Sequence, residues 1–538
     1  MAQTAAGTAA KSRGAGRLGI ALAAAAALVA TSFGPVLGRP ESGGTSVSVI
    51  VREVNPATSA AERLVAAVGG SVTQELSIIG GFSAKIPAKS IGLLRSLPDY
   101  VRDVTISSKV HFEGFYGQNS GVASAIYPTV VGADKAWRSG WTGSGVGVAV
   151  IDTGINATGD LAGKVVHSED WSGEGDGVDH YGHGTFLAGL IAGSGAASGG
   201  AVRGVAPDVN LISLKIAGKD GSADITHVMA ALQWAVTFKD AYNIKVINLS
   251  LGTDSTQDYR IDPLNYAVER AWRAGITVVV SASNRGPNAG TISKPADDPF
   301  VVTVGAIADR TTTKTLDDVV PDFSGAGPTA SNGLAKPDLA APGGSVISTR
   351  AVGSTIDTDH PTARVGTAYF KGSGTSFASA ITAGAAALAL SRNPSLTPDQ
   401  VKARLVDTAR RGPVLDVNRI GSGVLDAYAA TASDSTAAAN QGLAESDGSG
   451  SLQASRGSLV DAVQTGTVLD ALGNPVPVLA PVAGEFTAQM LPFDRVDYTG
   501  DWTVSQWYVS QWYVSQWYVS QWYVSQWYVS QWYANEWS

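Results

Sequence analysis

Five near-continuous apolar runs recur between residues 145 and 307: "GVGVAVID" (145–152), "VNLISLKI" (209–216), "KVINLSLG" (245–252), "ITVVVSAS" (276–283) and "FVVTVGAI" (300–307). A strand with one wet face alternates apolar and polar residues. These runs do not alternate, so each must be covered on both faces. Between them lie stretches with helical spacing, such as "DITHVMAALQWAVTFK" (224–239) and "PLNYAVERAWRAG" (263–275). Strand alternating with helix specifies an α/β domain, a mostly parallel sheet flanked by helices. Ligands on such sheets gather at the carboxyl ends of strands, so polar residues there are candidates for chemistry.

The chain is longer than these runs require. Its 538 residues exceed the ~100 to 200 of one domain, so further units are expected. Hydrophobic content of 44% against 16% charged residues supports a large core and excludes a chain disordered throughout. The net charge is −8, with no basic block beyond the extreme N-terminus, which argues against nucleic acid as a partner. Cysteine is absent, removing disulfides, a thiol nucleophile and thiolate metal sites together.

Flanking the α/β region are four further segments. Residues 1–38 have the form of an export signal: Lys11, Arg13 and Arg17 make a charged head, Leu18 to Ala30 an apolar stretch, and small residues follow for cleavage near Ala30 or Gly38. This predicts a secreted protein. Residues 46–112 form a small unit. "SVSVIVREV", "GFSAKIP" and "VRDVTISSKV" read as strands, "SAAERLVAAVG" and "AKSIGLLRSLP" as helices, and the order is the split βαβ, ferredoxin-like α+β plan. After Ala430 the composition turns to Ala, Ser and Gly, which predicts a linker over 431–500. Six copies of "VSQWY" then run from Val504 to Tyr533 within a 502–538 tail. An odd period sends successive Trp residues to opposite faces of a strand. One reading is repeat expansion of little consequence. The other is an aromatic surface for cell-wall glycan or a membrane surface, since Trp and Tyr pair an apolar body with a polar tip.

Three polar residues stand out at strand ends and loop-to-helix junctions. Asp152 closes the first apolar run, where a buried carboxylate needs hydrogen-bond partners. His183 lies among glycines in "DHYGHGTFLAG", and Ser376 in "GTSFASA", where helix N-terminal N–H groups stabilise negative charge. Singly, each also reads as a turn, cap or packing residue. Together they supply a carboxylate, a base and a nucleophile in the chain order Asp, His, Ser.

That order comes with neighbours. "AVIDTGI", "DHYGHGT", "GVAPDVNLISLKI", "VINLSLG", "SASNRGP", "KPDLAAPG" and "GTSFASA" resemble, in order, the successive blocks of the subtilisin-like serine peptidases, over roughly 127–430. The resemblance implies a subtilisin-like domain in which Asp152 orients the imidazole, His183 is general base and then acid, and Ser376 attacks the peptide carbonyl. It also implies that the side chain of Asn284 and the backbone N–H of Ser376 hold the oxyanion. Unit 46–112 resembles the family's propeptide inhibitor domain, which would make this chain's own propeptide a partner, removed by autocleavage between about Val110 and Tyr127. Ser250, Leu251, Gly252 and Ser283 would edge the pocket for the residue before the cut. None of them is charged, so a neutral or apolar guest is expected, within protein or peptide substrates.

Some positions depart from the family pattern. Phe186 stands where many relatives have a histidine, Ala380 and Ile381 where a Pro-His pair is common, and Ser283 where glycine is frequent. These are expected to alter packing and helix entry rather than abolish activity. No organic cofactor is required. The resemblance raises a structural calcium at Asp160, but the partner loop "GSGAASGGAVRG" offers no carboxylate or amide side chain, which argues against that site. Asp170, Glu174, Asp176 and Asp179 ahead of His183 read as a solvated acidic loop rather than a metal site.

Overall fold

The computed structural model describes residues 46–457 apart from 108, 113–114, 117–124, 311, 315–316 and 412–415, together with a short ribbon at 468–469 and 475–476. The segment read as an export signal and the VSQWY repeat lie outside the described residues. Two compact units divide the chain: residues up to 75 with 80–106, and residues 76–79 with 107 onwards.

The smaller unit follows the predicted order. It comprises β1 (Ser46–Glu53), α1 (Ala60–Ala67), β2 (Ser71–Leu76), β3 (Gly81–Pro87), α2 (Ile91–Arg95) and β4 (Val101–Ile106). The sheet order is β2-β3-β1-β4, with β1 antiparallel to both neighbours. Val49 and Val51 of β1 and Phe82, Ala84 and Ile86 of β3 share one face, and with Leu64, Val65 and Leu94 they make its core. The period of two that marked these strands in the sequence is the period of that buried face.

The larger unit contains β5 (Lys109–Phe112), β6 (Phe115–Tyr116), β7 (Gly147–Asp152), β8 (Val165–Asp170), α3 (His183–Ala192), β9 (Asn210–Lys215), β10 (Ser222–Asp224), α4 (Ile225–Thr237), β11 (Ile244–Leu249), β12 (Leu251–Gly252) and α5 (Pro263–Arg273). Then follow β13 (Thr277–Ser281), β14 (Val302–Ile307), β15 (Leu339–Pro342), β16 (Val346–Thr349), β17 (Arg364–Val365), β18 (Tyr369–Ser373), α6 (Thr375–Arg392) and α7 (Pro398–Asp407). Its main sheet has the order β15-β14-β13-β11-β7-β9-β8 and is parallel throughout. This is the predicted α/β architecture.

All five apolar runs are strands of this sheet, and every residue of β7, β13 and β14 is buried. Two strands escaped the sequence reading. β8 is an edge strand with half-exposed, polar residues ("VVHSED"), and β15 is only four residues long and ends in proline. Neither carries a long apolar run, because an edge strand is covered less and a short one needs little. Helices α4 and α5 start where aspartate caps them. Asp224 accepts from the Thr226 N–H at 2.8 Å, and Asp262 from the Leu264 and Asn265 N–H groups at 2.8 and 3.3 Å. Helix α6 is buried from Thr375 through Leu390 and packs on β11, β13, β14 and β15. Its Ala/Gly content lets a helix run through the middle of the core with no polar face.

One compositional expectation fails. Residues 434–457, read as linker, lie against α5 as irregular chain with one short helix (Leu452–Ser455): the Ser446 N–H donates to both carboxylate oxygens of Glu269 at 3.0 and 2.8 Å, and Leu452 is fully buried. Ser455 adds a hydrogen bond from its Oγ to Asp262 at 2.8 Å. Hydrogen bonds to buried carboxylates join the buried Leu452 in holding this segment, and that source of order leaves no trace in hydropathy.

Candidate active site

The site begins at the carboxyl end of β7. Asp152 is fully buried, and its Oδ1 accepts from the Thr153 N–H at 2.8 Å. Both of its oxygens also face the Nδ1 of His183, at 2.9 and 3.0 Å. A proton on Nδ1 donated to the carboxylate fixes the ring tautomer, leaving Nε2 as the basic nitrogen. Burial of the aspartate is thereby compensated by the groups that it orients.

His183 opens α3, and the loop before it fixes its position. Asp179, expected in a solvated acidic loop, is instead buried. Its Oδ1 accepts from the Gly182 N–H at 2.6 Å and from Thr153 Oγ1 at 2.8 Å, while Oδ2 accepts from the Thr185 N–H at 2.8 Å and Thr185 Oγ1 at 2.6 Å. Burial pushes the Asp179 carboxyl above its ordinary range, opposed by these bonds. Thr153 Oγ1 also accepts from the Gly184 N–H at 2.9 Å, so one carboxylate ties the helix start to the strand end that bears Asp152. Gly184 has a steric reason to be glycine: a Cβ there would lie 2.2 Å from the Gly154 carbonyl oxygen. Gly182 has a conformational one, with φ at 111°.

Ser376 is the second residue of α6 and is buried. The ring of Phe377, next in the chain, lies 5.9 Å from the His183 imidazole and 4.5 Å from the Phe186 ring. The α6 start is pinned from two sides. Ser250 Oγ donates to the Ser376 carbonyl at 3.3 Å, and Ser379 Oγ to Asn248 Oδ1 at 2.9 Å. On the other side, Asn284 Oδ1 accepts from the Thr375 N–H and from Thr375 Oγ1, both at 2.9 Å. The amide oxygen of Asn284 is thus committed, and Nδ2 is its donor end. Asp152 and Asn284 lie at or just past the ends of two parallel strands, β7 and β13, and His183 and Ser376 at two helix N-termini, although the four are far apart in sequence.

Of the substrate-edge candidates, Leu251 and Gly252 form β12, directly after Ser250. β5 lies antiparallel between β12 and β10, with Leu251 opposite Phe112 and Gly252 opposite His111. Ser283 adopts φ of 116°, a left-handed conformation costly for a residue with a Cβ, and its Oγ is turned onto the Thr291 carbonyl. Phe186, Ala380 and Ile381 are all buried, Phe186 filling space against Phe377.

The surroundings of Asp160 add to the argument against calcium there. Its Oδ2 accepts from the Tyr369 hydroxyl at 2.6 Å and its Oδ1 from the Ala197 N–H at 2.8 Å. These neighbours point hydrogens at the carboxylate, whereas a calcium shell needs further oxygens. Glu174, Asp176 and His180 do cluster near the surface. Their atoms, however, are engaged within the protein: Glu174 with the Lys215 ammonium at 2.7 Å and the Lys219 N–H at 2.8 Å, Asp176 with His180 at 2.8 Å.

Sequence reasoning missed the supporting residues Asp179, Thr153, Thr375 and Asn248. The available signal was weak: an aspartate four residues before a histidine that opens a helix, with threonine two residues after it.

Residues 143–450 match the Subtilase family. The chain is 43% identical over 292 residues to the serine protease AprX of Bacillus subtilis (strain 168), covering 53% of this chain and 66%, just under two thirds, of that relative. It is 36% identical over 284 residues to subtilisin DY of Bacillus licheniformis, covering 52% of this chain and 89% of that protein. It is likewise 36% identical over 305 residues to subtilisin Savinase of Lederbergia lenta, covering 56% and 96% respectively.

Proposed function

The chain belongs to the subtilase family of subtilisin-like serine endopeptidases, and from that premise we propose that it cuts protein or peptide substrates through an acyl-enzyme on Ser376. It is exported, and its own N-terminal unit holds it inactive until removed. The observation that carries the reading is the bond of His183 Nδ1 to both oxygens of Asp152, beside the helix start that bears Ser376.

The steps follow from the positions. Ser376 Oγ attacks the peptide carbonyl carbon while His183 Nε2 takes the hydroxyl proton. Asp152 stabilises the imidazolium without taking the proton itself. The oxyanion is held by the Nδ2 group of Asn284, whose Oδ1 is committed to Thr375, and by the Ser376 N–H. His183 then protonates the leaving amine, and water returns along the same path to hydrolyse the ester. None of these steps uses an organic cofactor. A substrate strand between β10 and β12, in the place that β5 takes, presents its carbonyl at the α6 N-terminus.

Export is supported by the charged head and apolar stretch of residues 11–30. Cell-wall or membrane-surface contact is assigned to the tail's aromatic repeat because Trp and Tyr pair an apolar body with a polar tip. Among the described residues no helix is long and apolar enough to cross a membrane.

Casein hydrolysis by the secreted protein tests the function. Ser376→Ala and His183→Ala should each lower kcat by about 10⁶, and the double variant little further, because the groups act as one unit. A fluorophosphonate should label Ser376 in the wild type and nothing in Ser376→Ala. Full hydrolysis by Ser376→Ala, or labelling elsewhere, would refute the reading.

A further inference from the structure

Residues 445–457 form a strap that starts on α5 and ends beside β12. Its first half is tied to α5 and to the turn before that helix. Glu445 lies between the Arg270 and Arg273 guanidinium groups, at 2.8 and 2.6 Å. The Asp447 and Gly450 N–H groups donate to the Arg260 and Ile261 carbonyls, at 2.8 and 2.6 Å. Gln257 then holds the middle of the strap: its Oε1 accepts from the Ser451 N–H at 3.0 Å, and its Nε2 donates to the Ser451 carbonyl at 3.0 Å and to Asp262 Oδ2 at 2.8 Å. The short helix Leu452–Ser455 lies past residue 450, where the family match stops.

The strap reaches β12 by two routes. Directly, Thr253, buried and one residue past β12, donates from its Oγ1 to the Ser455 carbonyl. Indirectly, Ser455 Oγ donates to Asp262 Oδ2 at 2.8 Å, and the Lys294 ammonium lies 3.8 Å from that same oxygen. The Lys294 backbone is in turn paired with Thr253, by N–H to carbonyl bonds of 3.0 and 2.9 Å. The end of the strap also seats on the turn after Thr253. A Cβ on Gly457 would lie 2.0 Å from Asp254 Oδ1 and 2.5 Å from the Ser255 nitrogen, and its φ is 62°.

Resting on the endopeptidase reading above, we infer that this strap is a positioning element of the substrate cleft, acting through Thr253 on the strand that receives the residues before the cut. A substrate in the place of β5 runs antiparallel to β12, where Leu251 and Gly252 face Phe112 and His111. Residues further back from the cut therefore lie further along β12, toward Thr253. Backbone pairing yields affinity when the receiving strand is already held in place, because ordering it on binding costs free energy. Thr253 is held by two backbone bonds from Lys294 and one side-chain bond to the strap. Removing the third strands the buried Ser455 carbonyl and loosens the turn at Asp254 and Ser255. At the other end of β12, Ser250 has its own bond to the Ser376 carbonyl at 3.3 Å. The strap thus governs how well a long substrate is recognised, at the end of β12 remote from Ser376.

Wild type, Thr253→Val, Thr253→Ser and Gly457→Ala are expressed as full chains, and active enzyme in each is titrated with a fluorophosphonate. Thr253→Val keeps the side-chain shape and removes the donor, while Gly457→Ala disturbs the contact from the strap. kcat/KM is measured on two peptides alike around the cut, one with four residues before it and one with a single capped residue. In Thr253→Val and Gly457→Ala the ratio of long to short should fall about 3- to 10-fold, the range of one hydrogen bond. Thr253→Ser, which retains the donor, should restore it. Equal losses on both peptides, as a purely structural defect gives, or an unchanged ratio in both variants, overturn the inference and leave the endopeptidase standing. So does a Thr253→Ser ratio as low as that of Thr253→Val. No hydrolysis of either peptide by the wild type overturns the endopeptidase reading itself. Should Thr253→Val fail to accumulate, Gly457→Ala decides.

Discussion

Replacing Asp179 with alanine should slow catalysis although Asp179 touches no substrate. The carboxylate accepts four hydrogen bonds, two from hydroxyls and two from the backbone N–H groups of Gly182 and Thr185. In Asp179→Ala the hydroxyls can rotate; Thr153 Oγ1 already has Asp152 Oδ1 at 3.3 Å. The two amides are fixed by the start of α3 and cannot turn away. A stranded buried donor costs about 1–3 kcal/mol, so the pair would lose about 2–6 kcal/mol. Part is recovered because a carboxylate whose burial raised its pKa is gone, leaving about 3 kcal/mol as the expected destabilisation. The relaxed helix start carries His183 with it. A displacement of ~1 Å at a reacting group is worth about 10²-fold, so kcat should fall by about that factor with KM little changed. Asp179→Asn retains an acceptor toward Gly182 and Thr153 but sets an NH₂ group against the Thr185 N–H, and should fall between wild type and alanine. The assay is peptide hydrolysis at saturating substrate with thermal unfolding measured in parallel, well below the midpoint of each variant. A kcat for Asp179→Ala within about threefold of wild type would show that His183 holds its place without this network.

Other outcomes follow from the same geometry. Asn284→Ala should lower kcat about 10²- to 10³-fold with little change in KM, read from initial rates on a peptide substrate. Glu269 and Asp298 are each pushed upward, first by burial and then by neighbouring carboxylates. The folded pair keeps protons that the unfolded chain sheds just above its ordinary values of 4.5 and 3.8, so the native state binds more protons and stability declines as pH rises. Glu269→Gln keeps an acceptor for the Ser446 N–H and should flatten that decline, by about 1.4 kcal/mol for each pH unit over which one extra proton is held; melting curves from pH 6 to 10 check it. Arg285, the one basic residue in segments 250–254 and 281–286, lies 3.7 Å from Asp254. Arg285→Glu should shift the ratio of cleavage after Glu to cleavage after Lys about tenfold toward Lys, measured on paired peptides; an unchanged ratio would remove Arg285 from substrate selection.

Legibility in the sequence tracked how far each signal travels along the chain. The sheet was readable because β7, β9, β11, β13 and β14 are buried on both faces, and burial on both faces writes an unbroken apolar run. β8 and β15 were not, being an edge and a four-residue strand. The candidate catalytic positions were readable because each sits in a short block with glycines or small residues beside it. Asp179 was not: a carboxylate buried on four donors and one bathed in water look the same in a loop rich in aspartate. The same holds for residues 434–457, where composition promised a linker and hydrogen bonds to Glu269 and Asp262 hold the chain in place.

The order of residues alone therefore determined the α/β class and the small antiparallel unit, and marked Asp152, His183, Ser376 and Asn284 as candidates. These depend on local periodicity and on motifs a few residues long. Tertiary structure alone decided which atoms meet: the Asp179 network beneath His183, the commitment of the Asn284 oxygen to Thr375, the donors that surround Asp160, and the pairing of β5 with β12. Each of these joins segments tens to hundreds of residues apart, and hydrogen-bond geometry across such separations is set by packing, which no local pattern encodes.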